Sequence, residues 1–141
     1  MNSSNKFSIT LIVCGVVGVV LGKWAMSEFF PSQEEKKDKA LMAAANNINK
    51  NLPINVDSET ILFSTTGGQN KFSYNYELLN TVKSGIDVEA FENAMRPYLT
   101  NAVCTTGDMA GFRDLGITVT YRYFDSDRIQ FSQIDVDTTS C

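Results

Sequence analysis

The stretch KFSYNYELL, residues 71–79, alternates between polar and apolar side chains and decides the fold class. Its apolar positions are Phe72, Tyr74, Tyr76 and Leu78. Strict alternation over this length is typical of a β-strand that buries one face. The aromatic side of this strand is therefore predicted to pack in a core or against neighbouring strands.

The sequence around this strand predicts two β-hairpins. SETILFST (58–65) precedes it and is separated from it by TGGQN (66–70), whose Gly-Gly pair is typical of a turn. Further along, ITVTYRYF (117–124) alternates again, DSD (125–127) suits a tight turn, and RIQFSQIDV (128–136) returns. We expect these strands to form one antiparallel sheet.

Helical patterns lie before and between the hairpins. A helix is predicted over residues 33–49, which carry one modest apolar stripe. Asp87 suits the N-cap of a second helix, Pro97 should kink or split that helix, and a shorter helix should end at Gly116. The order predicts an α+β fold: a helical stalk at 29–50, then a domain at 51–141, in an α-ββ-α(α)-ββ arrangement with helices on one face of the sheet.

Composition limits the possible functions. The chain has 141 residues, a net charge of −4 and no histidine. This length allows one modest domain with an appendage. The acidic balance argues against a nucleic-acid partner. The absence of histidine removes the commonest general base and the commonest metal ligand, so no metal or other cofactor is expected.

The N-terminal segment is the most apolar part of the chain. After a short tail at 1–6, residues 7–28 are predicted to form a transmembrane signal anchor, since their apolar run is long enough to cross ~30 Å of hydrocarbon. Gly15, Gly18 and Gly22 would form a helix-packing face that allows homo-oligomers, although scattered glycines in a lone span are the simpler interpretation. Two alternatives are a signal peptide cleaved near AMS (25–27) and a lipoprotein signal at Cys14, which Val13 disfavours.

Two patterns disagree about the side of the membrane that holds the domain. More lysines follow the span than precede it, which favours a cytoplasmic domain. Cys104 and Cys141, however, suggest a disulfide in an oxidising compartment, and long domains are translocated largely regardless of charge. We therefore expect a single-pass protein of the bacterial inner membrane with its C-terminal domain in the periplasm. Two buried free thiols, a reactive thiol or an intermolecular bridge are the other interpretations.

A search for catalytic or ligand-binding residues gives little. The acidic clusters DSDR (125–128) and DVD (135–137) lack the spacing of a calcium loop and are explained by turns and strand ends. Asp125 and Asp135 are a conceivable carboxylate pair for a hydrolase, although nothing in the pattern selects them. Four tyrosines on the alternating strands would form a ligand-binding face if at least two of their rings were exposed: Tyr74, Tyr76, Tyr121 and Tyr123.

Four short runs carry a family resemblance: NLPINVDSET (51–60), YNYELLN (74–80), PYLTNAVC (97–104) and GITVTYRYFDSDR (116–128). Together they resemble a group of small bacterial domains, membrane-tethered or exported, whose function is uncharacterised. The resemblance covers about residues 51–130. It implies a bacterial source and an exported domain, and it implies no catalytic residue.

These features predict a non-enzymatic protein that is anchored in the bacterial inner membrane and binds a protein partner in the envelope. Such a protein would belong to an envelope complex or act as an immunity or exclusion protein. The alternatives are a periplasmic ligand-binding module that uses the tyrosine-rich face and a secreted periplasmic protein whose signal has been cleaved.

Overall fold

A computed structural model describes residues 33–141. The predicted tail, the predicted signal anchor with Gly15, Gly18 and Gly22, and the first residues of the predicted stalk lie outside the described residues. Within 33–141, none of the helices has the length and apolar character needed to span a bilayer.

The described chain is an α+β domain with a five-stranded sheet. Its helices are α1 (Gln33–Asn49), α2 (Val88–Thr105) and α3 (Ala110–Leu115). Its strands are β1 (Ile54–Asn55), β2 (Thr60–Gly68), β3 (Lys71–Leu78), β4 (Thr118–Phe124) and β5 (Gln130–Asp137). Short 3₁₀ turns occupy Lys83–Gly85, Gly107–Met109 and Thr138–Ser140.

The sheet is mixed, and the prediction of an antiparallel sheet was wrong at its centre. The strand order is β1-β2-β3-β4-β5, and both hairpins pair internally as predicted. The hairpins join through β3 and β4, which run parallel with Tyr74 opposite Tyr121. The segment that carries α2 and α3 is long enough to return the chain to the end of the sheet at which β3 began, which a parallel pair requires. Alternation within each hairpin carries no information about this join.

All three helices pack on the same face of the sheet, as predicted. A Cβ placed on Gly67 of β2 would point at the Leu41 backbone of α1. On the same face, the Phe112 ring of α3 lies 4.8 Å from that of Phe72 in β3, and the Phe91 ring of α2 lies 4.9 Å from that of Tyr123 in β4. The core therefore lies between one helical layer and one sheet layer.

Helix α1 has the predicted bounds, but it belongs to this core. Its apolar stripe is buried and packs with the sheet residues: Leu41, Ala44, Ala45 and Ile48. Only its first two turns carry the charged residues that suggested a stalk. The domain therefore includes α1, because its last two turns cover the apolar side of β2.

The turn between β2 and β3 falls later than the Gly-Gly pair. Gln69 and Asn70 are its central residues, with φ angles of 53° and 61°. Gly67 lies within the strand, where a Cβ would be 2.2 Å from the Leu41 carbonyl oxygen. Its role is therefore to admit the backbone of α1 rather than to form the turn.

The ends of α2 and α3 follow the sequence. Asp87 is the N-cap of α2 and accepts a hydrogen bond from the Ala90 N–H at 3.0 Å. The helix runs through Pro97 as one element, so the proline does not split it. Gly116 ends α3 in the left-handed conformation, with φ 63°, as expected for a residue at this position.

The two edges of the sheet differ. The start of β2 pairs with β1, and further along the Asn49 side chain bonds to Thr65 like a neighbouring strand. The Asn49 amide donates to the Thr65 carbonyl and accepts from the Thr65 N–H, both at 2.8 Å. At the other edge, β5 is the last strand of the sheet.

The outward-facing groups of β5 follow from its pairing. The Thr138 N–H donates to the Ile117 carbonyl at 3.1 Å, on the β4 side. Because inward and outward groups alternate along an antiparallel pair, the N–H groups of Gln133 and Asp135 point away from β4. These groups form an open edge among the described residues.

Candidate functional site on the uncovered face of the sheet

The four tyrosines singled out in the sequence lie together in the core. Tyr74, Tyr121 and Tyr123 are 1%, 4% and 5% exposed, and Tyr76 is half-buried against the core. Their rings stack across the parallel pair, with 5.6 Å between the centroids of Tyr74 and Tyr121 and 5.4 Å between those of Tyr76 and Tyr123. Burial raises the pKa of Tyr123 well above its usual range, and the nearby Tyr98 adds to the shift. Two exposed rings, which a tyrosine-lined ligand face requires, are not present in this arrangement.

The predicted Cys104–Cys141 disulfide is confirmed. It joins the end of α2 to the end of the turn after β5, with 5.3 Å between the two Cα atoms. Arg113 of α3 holds the same end of α2 by donating to the carbonyls of Val103 and Thr106 at 2.7 and 2.8 Å. The covalent link thus ties the helical layer to the last strand.

The face of the sheet opposite the helices is polar. Because no helix within residues 33–141 packs on it, we refer to it as the uncovered face and define it by the following residues: Ser64, Thr66, Lys71, Ser73, Asn75, Glu77, Thr118, Thr120, Arg122, Gln133 and Asp135. Its hydroxyl and amide groups pair across strands, as in the bonds from Thr120 to Asp135 (2.7 Å) and from Asn75 to Ser64 (3.0 Å). Three of these short side chains are buried: Ser73, Asn75 and Thr120. The face therefore has the polar character of a solvent-facing side of a sheet rather than that of a second core.

One end of the uncovered face is internally neutralised. There, Arg128 forms an ion pair with Glu77 and lies over the Phe63 ring, with its guanidinium carbon 4.3 Å from the ring centroid. Phe63 meets Phe124 edge to face at 5.2 Å. The charge and aromatic surface at this end are satisfied within the domain.

At the opposite end the surface is concave. A groove of about 470 Å³ lies beside the β2–β3 turn and reaches the flank of α1. Its lining consists of Asp38, Met42, Thr66, Gly67, Gly68, Gln69, Lys71, Ser73 and Arg122. Lys71 and Arg122 supply positive charge, while Met42, 53% exposed, provides an apolar wall. We refer to this feature as the groove.

The two aspartates considered for carboxylate chemistry are separated and have structural partners. Asp125 accepts backbone N–H groups of Lys83, Asp127 and Ile129, each at 2.9 Å. These bonds, that from Ile129 first, lower the pKa of Asp125 despite its burial. Asp135 lies opposite Thr120, which precedes Asp125 by five residues along the chain. Within residues 33–141 no acidic or cysteine cluster is arranged to hold a metal ion.

Sequence reasoning did not single out Lys71 or Arg122. Both occupy the polar phase of an alternating strand, which on its own predicts only solvent exposure. The information missing from the sequence was the parallel join, which places Lys71, Ser73 and Arg122 on one side of adjacent strands.

Comparison with known proteins identifies the fold. No family model matches this chain, and no curated protein matches it. A candidate secreted protein from Pseudomonas aeruginosa superposes with a TM-score of 0.67 at 14% identity, over 80% of this chain and 99% of that one. A pilotin from the type 2 secretion system of Vibrio vulnificus superposes with a TM-score of 0.59 at 11% identity, over 77% of this chain and 94% of that one.

A second pilotin, from the type II secretion system of Vibrio cholerae, has a TM-score of 0.56 at 12% identity, over 77% of this chain and 95% of its own length. The chain shares its fold with two secretion-system pilotins. At these identities the likeness concerns the fold alone, since one fold supports many functions. The solved domains are matched almost in full, so the described part of this chain corresponds to a whole domain of that architecture.

Proposed function

We propose that this protein is a non-enzymatic accessory protein of the bacterial envelope, anchored by residues 7–28 in the inner membrane. Its domain would lie in the periplasm and bind a protein partner there. The observation that carries the proposal is the Cys104–Cys141 disulfide. A bond of this kind persists in oxidising compartments such as the periplasm and is rare in the cytosol.

The fold supports an envelope role. Two proteins with the same architecture are pilotins of type II secretion systems, and a third is a candidate secreted protein. This likeness is fold-level analogy, so it favours a role as an accessory to an envelope assembly without naming that assembly.

The local chemistry favours binding over catalysis. Both carboxylates of the conceivable hydrolytic pair serve structural bonds, Asp125 to a turn and Asp135 to Thr120 and Gln133. The uncovered face and its groove are the accessible surface best suited to contact a partner, because their polar groups are arranged on rigid strands.

Topology provides the first test. Two reporters would be fused in turn to the C-terminus of the full chain. Alkaline phosphatase is active only after export, and green fluorescent protein fluoresces after folding in the cytoplasm. We expect the phosphatase fusion to be active and the fusion to green fluorescent protein not to fluoresce. The reverse pattern would overturn the periplasmic assignment.

Affinity capture provides the second test. The full chain would be purified in detergent from crosslinked membranes. A Cys104→Ser/Cys141→Ser variant is the control, and it tests whether capture of the partner requires the disulfide-bonded domain. We expect a stoichiometric envelope protein with the unaltered chain and its loss with the control. Recovery of the chain without any stoichiometric companion would contradict the proposal.

A further inference from the structure

We propose that the groove binds a carboxylate side chain on an extended segment of the protein partner, held between Lys71 and Arg122. This inference rests on the proposed function, because it assigns the chemistry of the partner at that surface.

Lys71 and Arg122 lie on the same face of two adjacent parallel strands. In the register of β3 and β4, Lys71 is opposite Thr118 and Asn75 is opposite Arg122, so the two cations flank Ser73 from opposite directions. Both side chains line the groove, as does Ser73. A ligand above Ser73 would therefore be within the reach of a cation on each side.

These two cations have no ion-pair partner within residues 33–141. The Arg122 Nε donates to the neutral Gln133 side chain at 3.2 Å. Arg128, at the far end of the uncovered face, is by contrast paired with Glu77. Unlike the other unpaired cations of residues 33–141, Lys71 and Arg122 line the same concavity, and two converging positive charges complement an anionic ligand.

The floor of the groove suits a carboxylate. Ser73, which is only 4% exposed, lines the groove between the two cations, and Gly68 adds no side chain above the backbone. Arginine and lysine both form charge-assisted hydrogen bonds with carboxylate oxygens, and the guanidinium can do so with two N–H groups.

The size and the acidic surroundings favour a peptide with few charges over a polyanion. A volume of about 470 Å³ accommodates a few amino-acid residues. Asp38 closes the groove at the α1 side, and Asp135 lies beyond Arg122 on β5. A nucleic acid or an extended anionic surface would be repelled by these carboxylates. A single acidic side chain, with a neighbouring apolar side chain packed against Met42, would avoid that repulsion.

A peptide titration of the full chain in detergent tests this. The probes are three fluorescein-labelled octapeptides of serine and alanine that carry one leucine and either two glutamates, two glutamines or two lysines. Fluorescence anisotropy should show the glutamate peptide binding about tenfold more tightly than the glutamine peptide, and the lysine peptide not binding. Raising salt from about 50 to about 300 mM should weaken the glutamate peptide most.

Variants locate the binding. Lys71→Gln with Arg122→Gln should weaken the glutamate peptide about tenfold or more, while Lys50→Gln with Arg96→Gln, two exposed cations away from the groove, should leave it unchanged. Thermal unfolding of both double variants confirms that each is folded. Equal loss in both pairs, or equal affinity for the glutamate and glutamine peptides, would overturn the inference.

Two further outcomes separate this inference from the proposed function. If the partner captured from membranes is retained by Lys71→Gln/Arg122→Gln, the groove assignment fails and the accessory function stands. If vesicles of phosphatidylglycerol bind the chain through Lys71 and Arg122 while the glutamate peptide does not, the ligand is a lipid headgroup and the inference is overturned.

Discussion

The β2 edge of the sheet is covered by other parts of the chain, whereas the β5 edge, which is open within residues 33–141, is fastened at its two ends. At β2, strand β1, the Asn49 side chain and the close approach of α1 at Gly67 occupy the available space. At β5, the disulfide fixes one end and Asp125 organises the turn at the other. The β2 edge thus depends on close packing, and the β5 edge depends on the disulfide and the Asp125 turn. Separate substitutions can remove the interactions at each edge.

Loss of the disulfide should have the largest effect, and it should fall on the β5 side. Cys104 and Cys141 are separated by 37 positions, and closing a loop of that length is worth about 4 kcal/mol in the chain-entropy model. We expect Cys104→Ser/Cys141→Ser to lose roughly that free energy of unfolding in urea titrations of the full chain.

Hydrogen exchange would show where the loss falls. Amides of β5, such as those of Ile134 and Val136, should lose more protection than that of Leu62 in β2. Reduced wild-type protein is the matched control and should behave in the same way. Equal loss at both edges would contradict the division described above.

Gly67→Ala should have the next largest effect, at the β2 edge. The added Cβ would lie 2.2 Å from the Leu41 carbonyl oxygen, so α1 must move away from the sheet. Overpacking of this kind costs about 1–3 kcal/mol, which thermal unfolding can measure. Gly85→Ala is the control, since a Cβ there meets no atom within 4 Å, and it should change stability by less than about 0.5 kcal/mol.

Asn49→Ala should destabilise the domain by about 1–2 kcal/mol and open the β2 edge. The substitution removes both hydrogen bonds to the Thr65 backbone and one from the Thr65 hydroxyl. Thr65 is only 1% exposed, so its polar groups would be left buried without these partners. Urea titration would give the loss, and light scattering should show more self-association, because an uncovered edge can pair with another chain. Asn46→Ala, at an exposed position on the same helix, should do neither.

Acid should weaken the β5 fastening at Asp125. Backbone N–H groups lower the pKa of this carboxyl in the folded state, so it contributes stability above its unfolded pKa. That contribution is lost as the pH falls below about 4 and through the folded pKa. Asp137, whose pKa is lowered by the Thr139 hydroxyl and N–H, contributes with the same sign.

An Asp125→Asn variant isolates the first carboxyl. At neutral pH this variant should be less stable than wild type, and the loss should be smaller than that caused by Gly67→Ala. Between about pH 5 and about pH 2.5 its free energy of unfolding should change less than that of wild type. A variant with an unchanged pH dependence would show that Asp125 is not the titrating group.

The sequence predicted what is local and missed what joins distant parts. The bounds of α1, the Asp87 cap, the Gly116 stop and both hairpins depend on residues close in the chain, and all were predicted. The parallel pairing of β3 with β4 depends on how α2 and α3 cross the sheet, and no pattern in either strand encodes it. The groove was missed for the same reason, because Lys71 and Arg122 meet only through that pairing. The disulfide was the exception, since residues 33–141 contain two cysteines, which leaves one way to pair them within the domain.

The parallel join has a consequence for how the domain assembles. Each hairpin pairs residues that are close in the chain, whereas the pairing of β3 with β4 joins parts of the chain that are separated by the segment carrying α2 and α3, and contacts between distant residues are slow to form. Until then both central strands have free edges, and such edges associate readily with other chains. A chain of this architecture would therefore be most vulnerable to aggregation after its hairpins have formed and before β3 has paired with β4.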